Sequence, residues 1–250
     1  MGRLDARVAV VTGVGSGLGQ AVACELAAEG ALVLGCDLND EAGATTMANV
    51  GHYLHADVAR EADVAMLVDR AVKRWGRLDV MVNNAAIQIE EELAETTEEQ
   101  LDRILGVNLK GVFFGCKHAV RVMRGSGGGT IVNVASILAL VADGILAAYC
   151  AAKGGVLGIT RATAVQYGAD GIRCNAICPG DIDTPLVQAY FDTAADPAAL
   201  RAEVSAEYPL GRIAQPREIA RAVVFLASDD ASFMSGQPLV VDGGLLATCY

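Results

Sequence analysis

Histidine is nearly absent from this 250-residue chain: three copies, His52, His55 and His118, with no His-x-x-x-His pair. That spacing marks the common helix-borne zinc sites, so no metal is expected. Proline is also sparse, at 6 residues, and no repeat or low-complexity stretch marks a linker. One domain over residues 1–250 is therefore expected. Aromatic residues make up 5% of the chain against 53% hydrophobic residues overall, so the core must be aliphatic. Such a composition suits parallel strands covered on both faces. Basic residues are outnumbered, 19 Lys and Arg against 30 Asp and Glu, for a net charge of −11. That balance argues against nucleic acid or an anionic membrane as partner. No uncharged apolar run reaches the roughly 18 residues needed to cross a bilayer. Met1 to Asp5 form no apolar signal core. The seven cysteines (Cys24, Cys36, Cys116, Cys150, Cys174, Cys178 and Cys249) show no Cys-x-x-Cys pairing. They read as reduced, buried small hydrophobes, and a cytoplasmic location is expected.

What the chain does contain is alternation. Arg7 to Thr12 reads as a buried strand that runs into Gly13-Val14-Gly15-Ser16-Gly17-Leu18-Gly19. A helix follows over Gln20 to Glu29, with Ala21, Cys24, Leu26 and Ala27 on its inner side. A second apolar strand, Ala31 to Cys36, closes on Asp37. Strand, glycine turn, helix, strand and acid within about 30 residues is the dinucleotide-binding arrangement. The glycines let the backbone turn tightly and approach a pyrophosphate, which the helix N-terminus attracts. Asp37 can accept from the adenosine ribose hydroxyls and would repel a 2′-phosphate. No Lys or Arg stands at Ser16 or Leu38, so NAD is favoured over NADP. Asp37 could instead cap the next helix, a task open also to Asn39 or Asp40.

The alternation continues to the end of the chain. Helices are expected at 40–48, 61–75, 97–123, 146–168 and 216–227. Strands are expected at 53–56, 78–82, 130–134, 172–177 and 238–241. A loop-helix excursion at 185–212 is the candidate substrate loop. The pattern implies an α/β fold with one doubly wound parallel sheet of about seven strands. Ligands in such sheets bind at the carboxyl ends of strands, where Asp37, Asp57, Asn83, Ser136 and Pro179-Gly180 all fall. Tyr149 and Lys153 are one helical turn apart, so they share a face. A nearby ammonium is expected to lower the phenol's pKa and fit it for proton transfer.

Four motifs, in this order, resemble the short-chain dehydrogenase/reductase family over essentially the whole chain: Thr12-Gly13-x-x-x-Gly17-x-Gly19, Asn83-Asn84-Ala85, Ser136 before Tyr149-x-x-x-Lys153, and Pro179-Gly180. Ala86 departs from the glycine usual in that family, a difference of one methyl. The resemblance implies a Rossmann fold and an NAD-dependent alcohol dehydrogenase or ketone reductase. It implies a catalytic set of Asn108, Ser136, Tyr149 and Lys153. Tyr149 would be the acid/base. Lys153 would lower its pKa and bind the nicotinamide ribose. Ser136 would hold the substrate oxygen, and Asn108 a water that links Lys153 to solvent. It further implies cofactor contacts from Gly13, Ser16, Gly17, Leu18, Gly19, Asp37, Leu38, Asn84, Ala85, Ala86, Pro179 and Gly180. Asp57 and Val58 would flank the adenine, and Ile182 and Thr184 the nicotinamide amide. Gln88, Ile137, Leu138 and Tyr190 lie in the loops expected to line the substrate pocket. The apolar run from Ile137 to Val141 suggests an apolar secondary alcohol or ketone, cyclic ones included. A 3-oxoacyl-thioester reductase is the alternative, and a non-catalytic NAD-binding protein a more distant one. Family resemblance also implies a homotetramer built on the helices at 97–123 and 146–168, with added contacts from the tail Leu245-Leu246-Ala247.

Overall fold

The structure, a computed structural model, describes residues 2–248. Seven strands are hydrogen-bonded in the order β3-β2-β1-β4-β5-β6-β7. They are β1 (Val8–Thr12), β2 (Leu32–Asp37), β3 (Gly51–His55), β4 (Val80–Asn83), β5 (Gly129–Val134), β6 (Ile172–Pro179) and β7 (Pro238–Val241). Every pairing is parallel. The chain order reverses between β1 and β4, which opens a crevice at their carboxyl ends.

Alternation along β1 explains why both faces are covered. Ala9 and Val11 point into one apolar cluster, with Val22 and Leu26 of α1 (Gly17–Ala28) and Val223 and Val224 of α9 (Pro216–Ala227). Val8 and Val10 point into the other. There they meet Leu67 of α3 (Glu61–Trp75), Val120 of α5 (Gly111–Met123) and Val156 of α6 (Ala147–Tyr167). Each such side chain contributes about 1.5–3 kcal/mol when fully buried. Between β2 and β3 lies α2 (Asp40–Met47), whose N-cap is Asn39, accepting from the Ala42 N–H.

The helix expected over 97–123 is not continuous. It divides into α4 (Glu98–Leu105), a π-helical turn (Gly106–Lys110) and α5. A glycine sits at each junction, and Gly111 N–H bonds back to Gly106 C=O. The π turn carries Asn108, and π turns often mark functional positions. The excursion folds as α7 (Pro185–Phe191) and α8 (Pro197–Glu207), with Phe191, Tyr208 and Ile213 forming a small core of their own. Two sequence expectations need correcting. Cys24 is exposed, because α1 turns Val22, Ala23 and Leu26 inward instead, and Cys150 is only partly buried. Cys249 lies outside the described residues. The segment Leu245–Ala247 runs beside the crevice, with Leu245 against the small core of the excursion.

Candidate active site

The crevice is a cleft of about 720 Å³. Its inner end is built from backbone. Gly13 and Gly17 have φ of 74° and 54°, which side-chain-bearing residues adopt at a cost. A Cβ on Gly19 would lie 1.8 Å from the Gly13 carbonyl oxygen, so the turn closes on itself only with glycine there. Thr12 Oγ1 accepts from the N–H groups of Asn84 and Ala85, both at 3.0 Å. Asn84 Nδ2 donates to Thr12 C=O at 2.9 Å and Gly13 C=O at 3.2 Å. Asn84 thus fixes the glycine turn to the end of β4. Ser16, the N-cap of α1, makes no side-chain cap among the described residues, which leaves first-turn N–H groups to face an anion in the cleft.

Asp37 does not cap α2. Its Oδ2 accepts from Gly15 N–H at 2.8 Å and its Oδ1 from Asn39 N–H at 2.9 Å. Two carboxylate oxygens hold about four lone-pair sites, so each can still accept a ribose hydroxyl. Asp57 Oδ1 accepts from Ala59 N–H at 2.9 Å, a turn-forming bond, and the residue also lines the cleft. Glycines that only a close approach explains, open helix N–H groups and an acid at the tip of β2 all fit a dinucleotide. Lys153 is the single cation among the described lining residues.

The floor of the cleft carries Ser136, Tyr149 and Lys153. Ser136 follows β5, and its Oγ accepts from Leu138 N–H at 3.1 Å. That bond uses one of the oxygen's two lone pairs and leaves the hydroxyl proton free to be donated. Lys153 is 1% exposed, and its Nζ donates to Val134 C=O at 2.8 Å. Burial pulls its pKa down to about 8. The same ammonium lies 5.4 Å from the centre of the Tyr149 ring. The expected lowering of the phenol's pKa is not found in the protein alone. Burial pushes Tyr149 upward, the Ser136 hydroxyl opposes this in part, and the charge of Asp181 adds to it.

Asn108 does not line the cleft. It is fully buried, with Oδ1 accepting from Ile87 N–H at 2.9 Å and Nδ2 donating to Ile87 C=O at 2.8 Å. Both ends of its amide hold the segment after β4, so its side chain positions that wall. Its Nδ2 keeps a second N–H and its Oδ1 a second lone pair beyond these bonds.

The outer end is built from side chains. Gln88, Ile137, Leu138 and Tyr190 line it as expected, joined by Val141, Leu186 and Leu246. Sequence reasoning missed four carboxylates there: Glu90, Asp143, Asp181 and Glu207. Burial, and then the charges of Glu90, Asp143 and Asp181 among others, push the Tyr190 phenol upward. The signal available in the sequence was Asp181 beside Pro179-Gly180; the other acids come from separate loops. Arg201 of α8 pairs with Asp183 in a two-pronged bridge at 2.9 and 2.6 Å, which ties the excursion to the exit of β6.

A family model described as "Enoyl-(Acyl carrier protein) reductase" matches residues 13–246. The chain is 46% identical to cis-4-hydroxycyclohexanecarboxylate dehydrogenase of Sinomonas cyclohexanicum, over 96% of this chain and 97% of that one. It is 41% identical to cyclopentanol dehydrogenase of a Comamonas species, over 99% and 100%. Among solved structures, the aldohexose dehydrogenase of Thermoplasma acidophilum superposes with a TM-score of 0.93 at 34% identity, covering 98% of this chain and 96% of that one. Glycine cradle, buried Ser-Tyr-Lys floor and these relatives agree: the chain belongs to the short-chain dehydrogenase/reductase family, oxidoreductases that act on CH–OH groups with a nicotinamide cofactor.

Proposed function

We propose that the protein is an NAD-dependent dehydrogenase of secondary alcohols, cyclic ones included, working through Ser136, Tyr149 and Lys153. The observation that carries this is the buried lysine. A fully buried ammonium with one backbone acceptor is costly to the fold, and this one lines the cleft with its Nζ 5.4 Å from the centre of the Tyr149 ring. When bound, the nicotinamide accepts the hydride in oxidation and gives it in reduction. Ser136 donates its hydroxyl proton to the substrate oxygen and holds that oxygen within reach of the phenol. Tyr149 takes the carbinol proton in oxidation and returns it in reduction. Lys153 holds the ribose of the cofactor and stabilises negative charge on the phenol. Asn108 keeps the wall at Ile87 in place. The adenosine ribose is held by Asp37, and the absence of Lys or Arg at Ser16 and Leu38 favours NAD over NADP.

The dehydrogenases it resembles, named for cyclohexane and cyclopentane alcohols, support cyclic alcohols as the substrate class. The carboxylates Glu90, Asp143, Asp181 and Glu207 set this chain against an anionic substrate, the cyclohexanecarboxylate of its 46%-identical relative included. They also disfavour a thioester presented by an acidic carrier protein. We read the protein as one domain over residues 1–250 and as a homotetramer. Exposed Leu101, Phe113 and Val165, on α4, α5 and α6, support that assembly, and sedimentation showing a monomer would remove it. The deciding assay is NADH formation from cyclohexanol and cyclopentanol with NAD against NADP. Tyr149→Phe should lower turnover by about a thousandfold or more and leave NADH binding intact. Near-normal turnover in that variant would end the proposal.

A further inference from the structure

Of the four outer carboxylates, Glu90, Asp143 and Glu207 stand exposed, whereas Asp181 is built into the fold. Its backbone N–H donates to the Tyr208 hydroxyl at 2.7 Å, and its C=O accepts from Ala214 N–H at 2.9 Å. Its Oδ2 accepts from the same Tyr208 hydroxyl at 2.8 Å. A Cβ on the preceding Gly180 would meet the Tyr208 ring at 2.9 Å, so glycine is what lets this phenol reach over the turn. Three bonds therefore fix where the carboxylate sits. Its Oδ1 has no partner among the described residues, and no buried side-chain oxygen there lacks one. Oδ1 is consequently open to solvent. Asp181 borders a hollow of about 80 Å³ on one side and the main cleft on the other. Its charge reaches the Tyr149 and Tyr190 phenols, both of which line the main cleft.

A fixed carboxylate can only accept hydrogen bonds. It matches a substrate group that donates, and it repels an ether oxygen or an anion presented in the same place. Burial of Asp181 strengthens both effects. We propose that Asp181 is a specificity-determining residue that accepts a hydrogen bond from a second hydroxyl on the substrate, so that diols and hydroxyketones are preferred over lone alcohols. This rests on the dehydrogenase reading above. Tyr208 is the positioning residue: it holds Oδ2 and leaves Oδ1 to the substrate.

The test uses the whole enzyme with NAD. Cyclohexanol is compared with the positional isomers of cyclohexanediol and the monomethyl ether of each. An ether retains size and oxygen but cannot donate. At least one diol should exceed its own ether by about tenfold or more in kcat/KM, the span of a hydrogen bond to a charged group. In Asp181→Asn the amide can donate to an ether oxygen while still accepting from Tyr208. That diol-to-ether ratio should fall to about one. Equal rates for every diol and its ether in the wild type overturn the proposal, whatever the variant does. An unchanged ratio in a variant that still binds NADH overturns it as well. If no alcohol at all is oxidised, the dehydrogenase reading fails first, an outcome distinct from equal rates.

Discussion

The two ends of the cleft are made from different materials. At the inner end the contact surface is backbone, held by Thr12, Asn84 and Asp37 through bonds of 2.8 to 3.2 Å. At the outer end it is side chains on α7, α8 and their loops, where Leu186 and Leu210 are exposed. A backbone cradle takes one cofactor shape, because moving any atom moves the chain. A side-chain wall can change one residue without disturbing the sheet. The difference accounts for relatives that share the fold and bear the names of different substrates.

Breaking the inner end should have the largest effect. In Gly19→Ala the new methyl would lie 1.8 Å from the Gly13 carbonyl oxygen, and both groups are backbone of one turn. NADH affinity, read by fluorescence, should fall by about a hundredfold or more, with a lowered melting temperature. Retained affinity would mean that the turn is softer than its contacts imply.

Lys153 joins the two ends and separates activity from stability. Lys153→Met removes a buried charge, which favours the fold, and leaves Val134 C=O without its donor, which costs about 1–3 kcal/mol. Turnover should drop by about a hundredfold or more while the melting temperature stays within a few degrees. The pH dependence has a definite sign. The folded pKa of about 8 lies below the ordinary lysine value of 10.5, so between these values the unfolded chain holds more protons. Stability relative to the variant should therefore rise from pH 8 to pH 10. Parallel stability curves for wild type and variant would contradict the buried, pKa-lowered lysine.

The same contrast explains what could be read from the sequence. Gly13, Gly17 and Gly19 are legible because a backbone cradle demands glycine at fixed spacing. The α3, α9 and β7 boundaries were read to the residue, since α3 and α9 carry amphipathic patterns and Pro238 opens β7. Every predicted cofactor residue lines the cleft, and so do Gln88, Ile137, Leu138 and Tyr190. The break at Gly106–Lys110 was hidden because apolar periodicity runs on through a π turn. Asn108, expected at the site from the family resemblance, lies in that break and brackets Ile87, a contact its spacing does not announce. The phenol's upward shift was invisible for another reason: helical spacing tells that Lys153 is near Tyr149, but not how completely the fold buries the phenol. The outer carboxylates come from three loops and the end of α8, and only folding brings them together.

Loosening the outer end should have the smallest effect and so gives the finest test of the contrast. Arg201→Ala removes the two-pronged bridge to Asp183 and the guanidinium over the Phe191 ring at 5.8 Å. The pair is about one-third exposed on each side, so solvent weakens it, and about 1 kcal/mol is at stake. For a chain of this length that is a fall of roughly 2–4 °C in melting temperature. Catalysis should respond unevenly. The KM for the alcohol should rise several-fold, because α8 no longer holds its side of the wall, while the KM for NAD stays within twofold. Equal loss at both substrates would show that the excursion also shapes the cradle, and the separation between backbone and side-chain halves would then dissolve.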